Sequence, residues 1–99
     1  MRTLIVSKTA VRNTMAITDY LEAKFSVKVR NEFIDKLERA FEMIQANPEV
    51  FPKSDSNPDQ FRFVLTKQTT IYYKFNDTGI RILALFDTRQ RPSKITKIK

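Results

Sequence analysis

Apolar side chains in the first half of the chain recur at the spacing of helices. Pro and Gly are absent between Lys8 and Phe25, and a second periodic stretch runs from Val27 to about Ala46. The repeating positions are Ala10, Thr14, Ile17, Leu21 and Phe25, with Val11 and Met15 beside them, and then Val29, Phe33, Leu37, Ala40, Phe41 and Ile44. We predict two amphipathic helices whose apolar stripes face the core.

The second periodic stretch carries helix signals at both ends. Ser26 precedes it, and a serine hydroxyl at such a position accepts a hydrogen bond from an otherwise unpaired backbone N–H. Asn47 and Pro48 follow it, and proline disfavours the helical conformation in the residue before it. Because only Phe25 and Ser26 separate the two stretches, the helices are expected to form a hairpin.

The period of the pattern changes to two after a polar loop at residues 50–60. The predicted strands are residues 61–65, 69–75 and 80–86, together with a first strand at residues 3–7. Residues 76–79 form the last turn, which ends at Gly79, the only glycine of the chain. We expect this glycine to adopt the left-handed backbone conformation.

The order of these elements predicts an α+β fold, β-α-α-β-β-β. A two-helix hairpin packs on one face of a three- to four-stranded antiparallel sheet, and the first strand pairs at an edge. The last strand is almost continuously apolar, as expected of a central strand covered by helices. Arg81 interrupts it and alternates with Leu83 and Leu85.

Composition narrows the chemistry. The length of 99 residues favours one domain, residues 1–99, and 41% hydrophobic residues favour a packed core. The chain has no Cys and no His, so thiol catalysis, disulfides and the commonest metal ligand and general base are excluded. We expect neither a metal nor a cofactor. Because no apolar run approaches the roughly 20 residues that span a bilayer, and residues 1–7 are too short for a signal segment, we expect a cytoplasmic protein without a membrane partner.

Positive charge is concentrated in the second half of the chain. Residues 1–50 hold eight Lys and Arg against seven Asp and Glu, whereas residues 51–99 hold ten against four, within a net charge of +7. This asymmetry indicates a polyanionic partner, either nucleic acid or an acidic protein segment. The alternative is a basic tail that serves only solubility.

Three segments give the chain a family likeness. Residues 46–52 resemble the helix end and connector of the RelE/ParE toxins of bacterial type II toxin–antitoxin systems, also known as plasmid stabilisation proteins. Residues 70–75 resemble the third strand of that family, with Tyr73 at its recurrent aromatic position, and residues 82–92 resemble its last strand and basic turn. The similarity covers essentially the whole chain.

The resemblance implies one of two cellular targets. RelE-like members bind the ribosomal A site and cut mRNA there, whereas ParE-like members share the fold, are not known as nucleases and act on DNA gyrase. Members of both kinds are neutralised by an antitoxin, a segment of which wraps the toxin. The chain is therefore expected to inhibit growth through gyrase or the translating ribosome.

Cleavage of RNA by 2′-OH attack needs an aligned hydroxyl, a neutralised phosphate and a protonated leaving oxygen. The resemblance makes Arg62, Arg89 and Arg91 the candidate catalytic residues. Three positions depart from the RelE-type set, because Val64 and Thr70 stand where basic residues fall and about Ile95 where a C-terminal tyrosine falls. Enzyme activity as a ribosome-dependent endoribonuclease is thus an open alternative with an incomplete catalytic set.

A second group of residues is predicted to bind the partner or nucleic acid: Arg81, Tyr72, Lys67, Lys94 and Lys97. Each has a structural alternative, since Arg62 and Arg81 can be solvent-facing strand residues and Tyr72 an exposed ring without function. Tyr73 is interpreted as a core residue with a satisfied hydroxyl. Asp87 is expected to pair with Arg89 or Arg62. The mechanism requires the four arginines at positions 62, 81, 89 and 91 to gather over one sheet.

These expectations define the partners and the competing functions. An acidic antitoxin is predicted to cover part of the helical hairpin and the sheet face that carries Arg62 and Arg81. The ribosome with its mRNA, or DNA gyrase, is the expected target. The alternative function is an inactive toxin homologue or a basic nucleic-acid-binding module without catalysis, whose affinity would fall steeply with salt.

Overall fold

A computed structural model describes residues 2–89. Its elements, in chain order, are β1 Thr3–Val6, α1 Lys8–Lys24, α2 Val27–Ala46, a 3-10 turn Pro48–Val50, β2 Phe61–Val64, β3 Thr69–Phe75 and β4 Gly79–Asp87. The predicted α+β order is confirmed, and the helix bounds agree with the pattern to within a residue. Among residues 2–89, no helix has the length and apolar content that crossing a membrane requires.

Serine hydroxyls begin both helices. The predicted cap is confirmed, because Ser26 Oγ accepts a hydrogen bond from the Val29 backbone N–H at 3.1 Å. Ser7 plays the same part for α1, accepting from Ala10 N–H at 3.0 Å. The sequence interpretation had placed Ser7 in the first strand. Both caps satisfy backbone donors that a helix leaves unpaired at its first turn.

The sheet is mixed, which corrects the antiparallel prediction. Its strand order is β1-β4-β3-β2, with β2–β3 and β3–β4 antiparallel and β1 parallel to β4. The edge position of β1 is confirmed. Parallel neighbours need a long crossover connection, and residues 7–78 supply it through the helical hairpin and the first two strands of the meander.

Gly79 does not adopt the expected left-handed conformation, since its φ is not positive. It begins β4 opposite Thr3 instead. The turn is built by the side chain of Asn76, whose Oδ1 accepts hydrogen bonds from the backbone N–H groups of Thr78 and Gly79, both at 3.0 Å. An asparagine side chain that organises a turn in this way removes the need for a left-handed residue.

The helices bury one face of the sheet. The buried apolar residues are Ala10, Ile17, Leu21, Phe33, Leu37, Ala40, Ile44, Ile71, Tyr73, Ile80, Ile82 and Leu85. Three residues assigned to the first apolar stripe, Val11, Met15 and Phe25, are exposed at 43%, 59% and 55%. Only the side of α1 that meets α2 and β4 is covered, and these residues lie outside it.

An irregularity in β4 changes which of its side chains face the helices. Tyr72 is opposite Ala84 and Tyr73 is opposite Ile82, so Leu83 has no register partner, as in a β-bulge. The backbone groups freed there bond to α1 and its cap, because Ser7 Oγ donates to Leu83 O at 2.9 Å and Asn13 Oδ1 accepts from Leu85 N–H at 3.1 Å. Beyond the bulge, Leu85 is buried under the helices whereas Arg81 is exposed, so the two residues do not share a face as the unbroken two-residue period predicts.

Tyr73 joins the sheet to the end of α2. The ring is fully buried and stacks on Phe61, with 5.6 Å between ring centroids. Its hydroxyl donates to the Pro48 carbonyl at 2.6 Å, which confirms the predicted core role. Burial, assisted by the negative charge of Glu49, raises the pKa of the Tyr73 phenol far above its ordinary value.

We expect Tyr73→Phe to lower the free energy of unfolding by about 1–3 kcal/mol, because it leaves the buried Pro48 carbonyl without a donor. Urea unfolding followed by circular dichroism measures the change. Tyr72→Phe is the matched control, since the side chain of this neighbour points to the opposite face and its hydroxyl has no hydrogen-bond partner among residues 2–89. Equal losses for the two variants would contradict the assigned role of the Tyr73 hydroxyl.

Candidate functional site

The face of the sheet that turns away from the helices carries three cross-strand rows of side chains. We call it the open face. The rows, from one end of the sheet to the other, are Ile5–Arg81–Lys74, Ala84–Tyr72–Arg62 and Phe86–Thr70–Val64. Neighbouring side chains within a row lie close enough to bind one ligand together. Alternation along each strand places these residues opposite the buried set.

Three cations stand on the open face without acidic partners. They are Arg62, Lys74 and Arg81, and no Asp or Glu occupies any position of the three rows. Within residues 2–89, the ion pairs are Arg30–Glu22 and Arg89–Asp87, neither of which involves these cations. The open face therefore presents net positive charge and suits an anionic ligand.

Arg62 is held differently from a solvent-facing arginine. It is half-buried, and its Nε is shielded from solvent without a hydrogen-bond partner among the described residues. Its backbone N–H donates to the Pro52 carbonyl at 2.9 Å, which anchors the edge strand. A buried unpaired donor is costly, and binding of an anion at this position would relieve the cost.

The last row of the open face is uncharged. Val64, Thr70 and Phe86 are direct neighbours across three strands. Val64 and Thr70 are the positions at which the family resemblance implies basic residues in RelE-like members. The structure thus places two of the three departures from that catalytic set side by side, so this row supplies none of the cations that would neutralise a phosphate.

Arg89 lies on the helix side of the sheet, at the end of β4. The Asp87 carboxylate, whose side chain is 1% exposed, accepts hydrogen bonds from Arg89 Nη2 at 2.9 Å and from Arg89 Nε at 3.3 Å. It also accepts from Arg89 N–H at 2.9 Å and from the Thr69 hydroxyl at 2.6 Å. Leu21, Val29 and Phe33 of the helices line a cavity of about 240 Å³ with this arginine.

The ionisation of Asp87 follows from these contacts. Burial by itself would raise the pKa of the carboxyl group, but the hydrogen bonds from Arg89 and Thr69 outweigh it and hold the pKa below its ordinary value. Its hydrogen bonds raise the pKa of the Arg89 guanidinium in turn. Of the two predicted partners of Asp87, Arg89 and Arg62, the structure shows Arg89.

The expectation that the arginines gather over one sheet holds for Arg62 and Arg81 but is wrong for Arg89. The bulge at Leu83 turns Asp87 to the helix side, and Arg89 follows its partner. Tyr72 lies on the open face, and Lys67 is exposed in the β2–β3 turn. Arg91, Lys94 and Lys97 lie outside the described residues.

Sequence reasoning missed two residues of these clusters. Lys74 was passed over, although the two-residue period of strand 69–75 puts it on the same side as Tyr72. The role of Thr69 as hydroxyl partner of Asp87 could not be recognised in the sequence, because the two residues are 18 positions apart and only the strand register brings them together. Within residues 2–89 no group of three or more His, Cys, Asp and Glu residues could hold a metal ion.

Comparison with known proteins identifies relatives of this structure. The sequence model of a family described as "ParE toxin of type II toxin-antitoxin system, parDE" matches residues 4–92. The chromosomal ParDE toxin–antitoxin system from P. aeruginosa is similar in structure, with a TM-score of 0.76 at 17% identity, covering 88% of this chain and 96% of that one. A search of curated proteins finds no match.

Two E. coli structures share the fold more distantly. YafQ from strain BL21(DE3) has a TM-score of 0.62 at 14% identity, covering 90% of this chain and 96% of its own. The E. coli DinJ–YafQ toxin–antitoxin complex has a TM-score of 0.61 at 15% identity, covering 89% and 93%. At these identities the likeness establishes the fold alone.

We expect Asp87→Asn to lower the free energy of unfolding at neutral pH by about 1.5–3 kcal/mol, because Arg89 loses its charged partner. The folded-state pKa of Asp87 is lowered, so its contribution exists above the ordinary carboxyl pKa and disappears as the pH falls below that value. The stability of the wild type should therefore decline more steeply in acid than that of Asp87→Asn. Urea unfolding at neutral and acidic pH tests this, with Asp77→Asn as an exposed control; parallel pH curves would contradict it.

Proposed function

Because the chain belongs to the ParE toxin family of type II toxin–antitoxin systems, we propose that it arrests bacterial growth by acting on DNA gyrase. An acidic antitoxin neutralises it, and the whole chain, residues 1–99, acts as one cytoplasmic domain. The match of the family model over residues 4–92 supports this assignment. The open face of the sheet supports the choice of gyrase over ribosome-dependent RNA cleavage.

The separation of Arg62 from Arg89 is the observation that carries this choice. Cleavage of RNA requires several cations to converge on one phosphate in the transition state. Arg62 and Arg89, the described residues that match the RelE-like set, lie on opposite sides of the sheet. Asp87 neutralises Arg89, and the uncharged row of Val64, Thr70 and Phe86 occupies the open face beside Arg62.

The three open-face rows also lack a carboxylate or imidazole that could transfer protons during RNA cleavage. The chain has no His, and the open-face rows contain no Asp or Glu. The Tyr73 hydroxyl is buried and bonded to the Pro48 carbonyl, and its raised pKa keeps it protonated. Among residues 2–89, the ionisable side chains of the three open-face rows are Tyr72 and the cations Arg62, Lys74 and Arg81. A surface of this kind is suited to binding an acidic macromolecule rather than to general acid–base catalysis.

Charge supports an acidic antitoxin. A net charge of +7 attracts an acidic chain, and exposed cations without partners speed its capture. The similar structures include a toxin–antitoxin system and a toxin–antitoxin complex, which supports an antitoxin as the partner. We infer that the antitoxin covers part of the helical hairpin and the open face bearing Arg62 and Arg81.

Induction of the chain alone in a bacterial host tests the proposed target. We expect growth arrest with DNA breaks covalently trapped on gyrase, and restoration of growth when the cognate antitoxin is co-expressed. Total mRNA mapped at cleavage-site resolution should match that of an uninduced culture. Arrest with ribosome-dependent mRNA cuts and no trapped gyrase would refute the gyrase proposal. Absence of arrest would leave an inactive homologue.

A further inference from the structure

Two like charges face each other across adjacent strands of the open face. Lys74 of β3 and Arg81 of β4 are direct register partners, and both side chains are exposed. Like charges in this arrangement destabilise an antiparallel pair. Neither residue forms an ion pair with any of residues 2–89. The pair therefore weakens the sheet and makes no described contact that would compensate.

The same row continues onto an exposed apolar side chain. Ile5 of β1 is the register partner of Arg81 and is 48% exposed. Together with the β3–β4 turn, the three residues of the row line a cavity of about 300 Å³. The turn is fixed by Asn76, through the hydrogen bonds to its side chain and one from Arg2 Nε to its carbonyl at 2.8 Å. The cavity thus combines two cations, one apolar surface and an ordered wall.

We propose that the Lys74–Arg81 pair binds carboxylates of an acidic segment of the antitoxin, with an apolar residue of that segment on Ile5. This inference rests on the proposed function. Glutamate or aspartate beside the pair would replace repulsion by attraction, so binding would also stabilise the sheet.

The surroundings favour a polypeptide over nucleic acid. Ile5 offers apolar contact, which a phosphate backbone does not use, whereas a segment of mixed acidic and apolar residues satisfies the whole row. β1 is the outermost strand of the described sheet and has no strand on its other side. A free strand edge can pair with the backbone of an extended peptide but not with a nucleic acid.

Reversal of one charge separates binding from folding. Lys74→Glu places opposite charges across the two strands, so we expect its melting temperature to equal or exceed that of the wild type. The affinity for an acidic ligand should nevertheless fall about tenfold or more. Lys28→Glu is the matched control, because it makes the same change in net charge at an exposed position of α2 on the other side of the sheet. Its affinity should change much less.

Isothermal titration with two probes decides between the partners. The first is a short synthetic peptide of interspersed glutamate and leucine, and the second is a single-stranded DNA oligonucleotide of equal charge. Tight binding of the peptide by the wild type, lost in Lys74→Glu and kept in Lys28→Glu, supports the proposal. Equal binding by both variants, a preference for the oligonucleotide, or no binding of the peptide overturns it.

The growth assay keeps the two proposals apart. The induction experiment reports on toxicity and does not depend on the peptide titration. A wild type that binds the peptide at Lys74 but leaves growth and gyrase unaffected would refute the proposed function while retaining the acidic-segment site. A toxic wild type without peptide affinity would refute the site alone.

Discussion

Because the helices bury only one face of the sheet, burial determines on which face the charged side chains of the strands lie. Side chains of a strand alternate between two faces, so packing Ile71 and Tyr73 against the helices obliges Tyr72 and Lys74 to face away from them. The same rule sends Arg62 and Arg81 to the open face. The cationic surface thus follows from how the apolar residues are spaced, because the strands that carry it also form the core.

Two buried polar contacts lie where α2 ends and where β4 ends. The Tyr73 hydroxyl bonds to the carbonyl of Pro48, where α2 ends, and the Asp87 carboxylate gathers Thr69 and Arg89 where β4 ends. Both satisfy groups that would be expensive to bury alone. Arg89, which looks catalytic in the sequence, is committed to the second contact. A basic residue near the last strand is therefore not by itself evidence of a nuclease.

Much of the architecture could be predicted because it is encoded locally. The apolar period, Ser26 and Pro48 set the bounds of α2, and the switch to a period of two located β3 within its observed limits. The parallel pairing of β1 could not be read locally, since strand direction depends on the path of the hairpin between distant segments. The predicted face of Arg89 was wrong for a related reason, because one extra residue in β4 reverses the alternation that the sequence implies.

The bulge has an implication for comparing members of such a family. Leu83 acts as a phase shift within a strand, and Ser7 and Asn13 of the N-terminal third hold it in place. Two homologues with the same sequence after their last strand will carry the arginine equivalent to Arg89 on opposite sides of the sheet if one of them lacks the bulge residue. Aligned positions after the last strand are therefore not spatially equivalent in two such homologues. The residues that distinguish them lie some seventy positions earlier, because Ser7 and Asn13 form the hydrogen bonds to the bulged strand.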